Sequence, residues 1–177
     1  MVELGTVAPA FELADVVTGG AVGRDDVAAN GRGLLVMFIC VHCPYVKHVE
    51  QELARIGVDY AGKIAIAAIS ANDVASHPED SPENMKAQAE RLGFRFPYLY
   101  DETQDVARAY SAACTPDTFV FDGERRLVYR GQLDDSRPKN DRPVTAADVR
   151  AAVDAVLAGR PVNSDQRPSI GCGIKWR

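Results

Sequence analysis

The chain has 177 residues, of which 46% are hydrophobic and 25% charged, and its formal net charge is −5. This length and composition are ordinary for one globular domain with a sizeable core. The acidic balance argues against a nucleic-acid partner, and no apolar run has the length of a membrane span. The N-terminus lacks the basic start and apolar core of a secretory signal, so we expect a cytoplasmic protein. In a reducing compartment, four cysteines indicate catalysis, sensing or metal binding rather than a disulfide framework.

The first part of the chain predicts an alternation of strands and helices. A strand over 11–17 and one helical turn over 25–30 precede the apolar run 34–39. This run lacks polar alternation, which indicates a strand buried on both faces. A helix over 44–60 follows, because apolar residues recur there at steps of three and four. A second apolar strand over 63–70 then implies a parallel crossover.

The second part predicts helices and a hairpin. Ser81 is a predicted N-cap for a helix over 82–92. Further along we predict a strand over 96–100, a helix over 103–112, and a hairpin of strands 118–121 and 127–132. Thr145 and Asp148 match a capping box for a last helix that ends at Ala158.

Two segments stand apart from this pattern. The charged run 134–143 is interpreted as a solvated loop. Residues 160–177 form a tail beyond the domain 1–159, and the apolar side chains near its end predict that the tail docks on the domain. In this interpretation Trp176 is a packing anchor.

Two cysteines mark the junction between strand 34–39 and helix 44–60. Cys40 and Cys43 form a C-x-x-C motif, and Pro44 suits the first helical position, which makes Cys43 the predicted N-cap. Its sulfur would face free backbone N–H groups and the positive end of the helix, and both favour the reactive thiolate. Cys43 is therefore the candidate nucleophile, and Cys40 is its candidate disulfide partner.

The same residues allow other interpretations. A cysteine is often only a small buried hydrophobe, and this applies more to Cys40, at a strand end, than to Cys43. His42 and Lys47 carry positive potential near the motif, although both are also ordinary surface residues. Cys40, Cys43 and His42, or Cys172, are soft or borderline ligands for copper(I) or zinc. Adjacent His42 and Cys43 point in different directions, which strains such a site.

Four motifs resemble a known family. They are A-P-x-F at 8–11, F-x-x-x-x-C-P at 38–44, the Thr115-Pro116 dipeptide and the strand T-F-V-F-D at 118–122. Together they resemble the thioredoxin fold in its peroxiredoxin-like, or redoxin, branch, which includes alkyl hydroperoxide reductases and thiol-specific antioxidant proteins. The resemblance extends to about Leu157. It implies an α/β fold of three layers, with a mixed central sheet flanked by helices, an N-terminal extension and a C-terminal tail.

Longer stretches are similar to bacterial proteins known only as thioredoxin family proteins. These stretches include HCPYVKH, PEDSPENM, FPYLYDETQ, GQLDDSRP and PSIGCGIKW. That set has no settled substrate. The resemblance therefore implies a thiol oxidoreductase without naming what it acts on.

The resemblance also implies roles for single residues. In thioredoxin-like proteins a cis-proline follows a threonine or a similar residue and faces the nucleophilic sulfur, and Pro116 matches that position. Thr115 and Pro116, with His42 and Pro44, would shape a substrate groove. Cys114, two residues before Pro116, becomes a second candidate resolving thiol.

The chain departs from the family patterns at positions that determine which reaction the site favours. Aligning Cys43 on the first catalytic cysteine of thioredoxin places the second at Val46, so this dithiol is not the usual one. In the peroxiredoxin motif Pro-x-x-x-Thr-x-x-Cys, the proline position is Val36 and the threonine position is Cys40. The peroxiredoxin arginine falls at Pro116. Two groups that polarise a peroxide are therefore replaced, which argues against a fast peroxidase.

The sequence thus predicts a thiol-dependent oxidoreductase that needs no cofactor. Its substrate would be a disulfide or, more slowly, a peroxide, and an external dithiol such as a thioredoxin would reset it. The alternatives are a metal-binding or metallochaperone protein that uses Cys40, Cys43 and His42, and a structural domain with inert thiols. Cys172 is either a late resolving cysteine or a buried residue between Ile170 and Ile174, and we favour burial.

Overall fold

The computed structural model describes residues 2–29 and 31–177. In chain order the elements are β1 (Glu12–Asp15), β2 (Ala21–Gly23), α1 (Arg24–Ala28), β3 (Leu34–Phe38), α2 (Pro44–Asp59), β4 (Ala65–Ser70), a 3₁₀ turn (Pro78–Asp80), α3 (Pro82–Leu92), β5 (Tyr98–Tyr100), α4 (Asp105–Ala109), β6 (Cys114–Thr115), β7 (Asp117–Phe121), β8 (Leu127–Gly131), α5 (Ala147–Leu157) and β9 (Cys172–Gly173). Seven strands form one sheet in the order β2-β1-β5-β4-β3-β7-β8, and β6 pairs separately with β9.

Strand β3 lies inside the sheet and carries the chain to the C-x-x-C motif. It pairs in parallel with β4 and antiparallel with β7, so the central sheet is mixed. All five of its side chains are buried, as the unbroken apolar run predicts. This confirms the α/β fold of the thioredoxin type with its mixed sheet.

Helices cover both faces of the sheet and make the three predicted layers. Side chains of β3 alternate between two cores, with Leu35 and Met37 on one face and Val36 and Phe38 on the other. Helices α2, α3 and α5 contribute to the first core, and α4 with the N-terminal segment contributes to the second. Because β3 is packed from both sides, the turn that follows it has a rigid support.

Most element boundaries lie close to the predicted ones. Helix α3 matches the prediction, and its N-cap Ser81 accepts a hydrogen bond from the Asn84 amide. Helix α4 is shorter than the predicted 103–112, because backbone at Gln104 (φ 67°) and Ser111 (φ 49°) is left-handed. The predicted turn over 25–30 is the helix α1, and Asn30 lies outside the described residues.

The predicted capping box at the start of α5 is wrong. The helix begins after Ala146, whose φ of 52° is left-handed, and no side chain caps it there. Instead Asp134 accepts hydrogen bonds from the Thr145 and Ala146 amides, both at 2.7 Å. Asp134 is buried, so the charged run 134–143 is not simply a solvated loop and begins with a structural carboxylate.

The tail over 160–177 is hydrogen-bonded to the rest of the chain at several points. Ser169 donates to Asp117 at 2.7 Å, and the amide of Lys175 donates to the Asn72 side chain at 2.9 Å. Ile174 is the buried apolar residue near the end of the tail. Trp176 is 42% exposed and lies under the guanidinium of Arg108, so it is a surface contact rather than the anchor predicted.

Among the described residues, we find no helix that combines the length and the apolar character needed to cross a bilayer.

Candidate active site

The C-x-x-C turn joins the end of β3 to the start of α2. Cys43 is the N-cap of α2, with φ −64° and ψ 125°, and Pro44 occupies the first turn of the helix. This is the local geometry that the sequence predicts. The sulfur of an N-cap residue lies near backbone N–H groups that have no partner within the helix.

Both cysteines of the motif contact Thr115. Cys40 and Cys43 are fully buried. The sulfur of Cys40 lies 3.3 Å from the Thr115 hydroxyl, and in its protonated form the Cys43 thiol donates to the Thr115 carbonyl oxygen at 3.2 Å. The peptide bond between Thr115 and Pro116 is cis, as the resemblance implied. The loop at Thr115-Pro116 therefore lies against the two sulfurs.

Hydrogen bonds make Cys43 the acidic thiol of the site. A hydrogen bond from Cys40 is the largest influence that lowers its pKa, and smaller ones come from Cys172, Thr115 and the Val46 amide. Burial opposes ionisation, but the donors outweigh it and bring the pKa to about 4. Cys43 is thus a thiolate at neutral pH, and thiolate is the nucleophilic form. These donors, rather than His42 or Lys47, are the leading causes.

The pKa of Cys40 shifts in the opposite direction. Its hydrogen bond to Cys43 raises its pKa, and burial and the negative charge of Asp80 add to this effect. Of the two neighbouring thiols, Cys40 is therefore the one that stays protonated. A pair in which environment separates two titrating groups is a common arrangement for catalysis.

A buried carboxylate holds the turn between the two cysteines. Asp80 accepts hydrogen bonds from the amides of Val41 at 2.8 Å and His42 at 2.9 Å. Its other oxygen contacts the His42 ring at 2.5 Å and the Asn72 side-chain amide at 2.7 Å. Burial disfavours its charge, but the donors of Asn72 and His42 prevail and lower its pKa. Asp80 thus fixes the backbone of the C-x-x-C turn as an anion.

His42 is a half-buried residue directed at Asp80 rather than at either cysteine. Its ring also stacks on that of His77, with centroids 5.1 Å apart. Of the metal ligands predicted, the structure groups Cys40 with His42 and adds Asp80, with their ligand atoms within 4.8 Å of one another. Cys43 does not belong to that group.

The tail brings a third thiol to Cys43. Strand β9 pairs antiparallel with β6, which places Cys172 in register with Thr115. Burial raises the pKa of Cys172 to about 11, and interaction with Cys43 adds to this effect. The favoured interpretation of Cys172 as buried between Ile170 and Ile174 is wrong, because Ile170 is 53% exposed and Cys172 is only partly buried.

Cys114 lies on the same short ladder, opposite Gly173. Its thiol is directed to the carbonyl oxygen of Pro116 at 3.8 Å. Burial and the charge of Asp117 raise its pKa to about 12. Cys114 is therefore a poor nucleophile in the reduced protein.

Sequence reasoning missed Asp80 and underrated Cys172. Asp80 lies in a polar connection, 38 residues from His42, and nothing in that connection distinguishes it from its acidic neighbour Glu79. For Cys172 a signal existed, since apolar residues flank it in a predicted docking tail. This pattern does not indicate which face of the domain the tail covers.

Comparison with known proteins agrees with this site. The model of the AhpC/TSA family matches residues 4–130, which include the C-x-x-C turn and the Thr115-Pro116 loop. The chain belongs to the AhpC/TSA family. Membership of the AhpC/TSA family supports a thiol-dependent redox function.

Solved structures extend the likeness to the whole chain. An uncharacterized conserved protein from Geobacillus kaustophilus is 56% identical, with a TM-score of 0.96 over 100% of this chain and 94% of that one. A hypothetical protein from Sinorhizobium meliloti 1021 is 48% identical, with a TM-score of 0.97 over 100% of this chain and 96% of that one.

A more distant structure shares the fold. The thioredoxin domain of a thiol-disulfide oxidoreductase from Bacteroides vulgatus is 21% identical, with a TM-score of 0.57 over 73% of this chain and 89% of that one. No curated protein matches the chain.

Proposed function

We propose that this AhpC/TSA-family protein is a thiol–disulfide oxidoreductase in which Cys43 is the nucleophile and Cys40 the resolving thiol. The observation that carries the proposal is that two neighbouring cysteines, both in contact with Thr115, have their pKa values shifted in opposite directions. Cys43 has a pKa of about 4, and interaction with Cys43 is the largest cause that raises the pKa of Cys40. A ready thiolate beside a protonated thiol is what the two steps of disulfide exchange require.

The exchange runs in two steps. The Cys43 thiolate attacks one sulfur of a substrate disulfide, a mixed disulfide forms, and the other substrate sulfur leaves as a thiolate. With the negative charge of Cys43 gone, the influence that most raises the pKa of Cys40 disappears. Cys40 then loses its proton, attacks Cys43 and releases the second substrate thiol. The products are two substrate thiols and the Cys40–Cys43 disulfide, which an external dithiol such as a thioredoxin reduces again.

Disulfide exchange fits the site better than fast peroxide reduction. In the peroxiredoxin pattern a threonine and an arginine polarise the peroxide, and here those positions are Cys40 and Pro116. Cys40 is hydrogen-bonded to the Thr115 hydroxyl, and Pro116 has no side-chain donor. Peroxide would therefore oxidise Cys43 to a sulfenic acid slowly, followed by a disulfide with a neighbouring thiol.

Disulfide mapping by mass spectrometry tests the proposal. The reduced protein is treated with one equivalent of a small disulfide oxidant or of hydrogen peroxide, free thiols are trapped, and the peptides are identified. We expect Cys43 in a disulfide under both oxidants, with Cys40 as its main partner, and faster formation with the disulfide oxidant. Cys43→Ser should prevent disulfide formation. Four free thiols under both oxidants would overturn the proposal.

A second candidate function rests on the cluster of Cys40, His42 and Asp80, whose ligand atoms lie within 4.8 Å of one another. A thiol, an imidazole and a carboxylate suit zinc or copper. However, both oxygens of Asp80 already accept hydrogen bonds from the turn, including the one from His42. Metal binding would compete with these bonds, so we rank this function second.

Titration calorimetry of the reduced protein with zinc sulfate tests the second candidate. Tight binding at one site, lost in His42→Ala and kept in His77→Ala, would support a metal site. His77 is the matched control because it stacks on His42 but is outside the cluster. Equal heats for all three proteins would exclude this site.

A further inference from the structure

Of the four cysteines, only Cys172 is partly exposed, and it is the one that reaches the site from the tail. Cys40 and Cys43 have no exposed surface. A disulfide between those two lies beneath the surface and is less accessible to a protein reductant than one that includes the partly exposed Cys172. The function proposed above needs an external dithiol, so it needs a route for electrons to reach the buried pair.

We propose that Cys172 is a second resolving thiol, which forms a disulfide with Cys43 that an external protein dithiol can reach. This inference rests on the proposed role of Cys43 as the nucleophile. According to this inference, an external dithiol reduces the oxidised protein by attacking Cys172 in the tail.

The position of Cys172 is fixed by the backbone on both sides. Before it, the Gly171 backbone lies so close to Thr115 that an added Cβ would come within 2.1 Å of the Thr115 carbonyl oxygen. After it, the amide of Ile174 donates to the Ala113 carbonyl oxygen at 3.2 Å. Between these points, Cys172 is in register with Thr115. The fold thus holds Cys172 opposite the residue whose carbonyl oxygen lies 3.2 Å from the Cys43 sulfur, which gives the Cys172 thiol a high effective concentration there.

Contacts farther along the tail reinforce this placement. Ser169 donates to the buried carboxyl of Asp117 at 2.7 Å. Asp73 donates its amide to the carbonyl oxygen of Lys175 at 2.8 Å, and the side-chain amide of Gln104 donates to the same oxygen at 2.8 Å. The tail is therefore attached on both sides of Cys172, which fixes the strand that carries this thiol beside Thr115.

The chemistry is a resolution step parallel to that of Cys40. After Cys43 has formed a mixed disulfide with a substrate, the sulfur of Cys172 attacks Cys43. The bond between Cys43 and the substrate breaks, the substrate sulfur leaves with the electron pair, and it takes the proton that Cys172 loses. Two protein thiols are oxidised to one disulfide, and one substrate disulfide is reduced to two thiols.

Reduction of this disulfide favours attack at Cys172. An external thiolate that attacks the partly exposed Cys172 displaces Cys43, which leaves as a thiolate with a pKa of about 4. A thiol of low pKa is a fast leaving group in disulfide exchange. The second thiol of the external dithiol then attacks the mixed disulfide on Cys172 and releases it. The dithiol becomes a disulfide, and Cys43 and Cys172 return to their reduced forms.

The first test is disulfide mapping of Cys40→Ser. Serine keeps a hydroxyl donor beside Cys43, and the variant leaves Cys114 and Cys172 to compete. After one equivalent of oxidised glutathione, we expect the Cys43–Cys172 disulfide in most molecules. Cys43 paired with Cys114, or left as a glutathione mixed disulfide, would overturn the inference. If Cys43 does not react with the oxidant even in the wild type, the proposed function itself fails, so the two failures are distinguishable.

The second test is the rate of re-reduction of fully oxidised protein by thioredoxin. We expect Cys172→Ser to be reduced at least about tenfold more slowly than the wild type, because it lacks the thiol that attacks Cys43, displaces Cys40 and transfers the disulfide to the partly exposed position. Dithiothreitol, a small reductant, should show a smaller difference. Circular dichroism verifies that the variant is folded. Equal rates with thioredoxin for the two proteins would overturn the inference.

Discussion

Thr115 and Cys172 lie opposite each other in the ladder between β6 and β9. The backbone carbonyl that receives the hydrogen bond of the Cys43 thiol therefore belongs to the residue that positions the tail cysteine. One residue thus connects the cis-proline loop, the nucleophile candidate and the C-terminal tail. Any change that shifts this ladder should alter the access to Cys43 and its hydrogen bonds together.

Gly171→Ala should undock the tail, because its Cβ would come within 2.1 Å of the Thr115 carbonyl oxygen. We expect Cys43 to be alkylated by a bulky maleimide about tenfold faster than in the wild type, which corresponds to a loss of about 1.4 kcal/mol of tail docking. Gly173→Ala is the matched control, since its Cβ would have only one neighbour, at 4.0 Å. Equal rates for the two variants would contradict this account of the ladder.

Asp80→Asn should destabilise the turn between Cys40 and Cys43. The buried carboxylate accepts four hydrogen bonds, and an amide has only one oxygen to replace its two. We expect the free energy of unfolding in urea to fall by about 2–3 kcal/mol, as for lost hydrogen bonds to a buried charge. Glu79→Gln, which changes an exposed neighbour, should alter it by less than about 0.5 kcal/mol. Similar effects of the two substitutions would argue against the anchoring role of Asp80.

Cys40→Ala should raise the pKa of Cys43 more than Cys172→Ala does. The hydrogen bond from Cys40 is the largest stabilising influence on the thiolate, and that from Cys172 is smaller. The pH dependence of the rate of iodoacetamide alkylation measures this order. Cys114→Ala is the control, because the Cys114 thiol is directed to the Pro116 carbonyl oxygen instead. An unchanged pKa of Cys43 in Cys40→Ala would contradict this order.

The stability of the reduced protein should rise with pH between about 4 and 9. The pKa of Cys43 is lowered from 9.0 in an ordinary thiol to about 4 in the fold, so the unfolded chain binds more protons in this window. The stabilisation is complete above pH 9 and is lost as the pH falls toward 4, with a slope of up to about 1.4 kcal/mol per pH unit. Urea unfolding of wild type and Cys43→Ser at several pH values measures it. A slope that is equal in both proteins would rule out Cys43 as its source.

The sequence predicts what is decided locally. The run from Leu34 to Pro44 contains a buried strand, a C-x-x-C motif and a helix-initiating proline, and each follows from neighbouring residues. The mixed sheet and the three layers follow from the order of such elements together with the resemblance to redoxins. These parts of the prediction are confirmed by the structure.

Contacts between distant segments lie beyond this kind of reasoning. Asp80 is a buried carboxylate on a connecting loop, and no local pattern marks it. Its neighbour Glu79 has the same charge but does not make these contacts. Asp134 binds the two backbone amides that precede α5 from another loop, although Thr145 and Asp148 form the expected local pattern. Cys172 reaches Cys43 only because the tail pairs with β6. In each case a three-dimensional neighbour, rather than the local pattern, determines the role of the residue.

The measurement that tests the central claim most directly is the titration of the Cys43 thiolate. The ultraviolet absorbance of thiolate in the reduced wild type is followed from acid to alkaline pH, and that of Cys43→Ser is subtracted. We predict a transition with its midpoint at about pH 4, with Cys43 ionised throughout the neutral range. A midpoint near that of an ordinary thiol, 9.0, would contradict the account, because the site would then hold two protonated cysteines and no nucleophile at neutral pH.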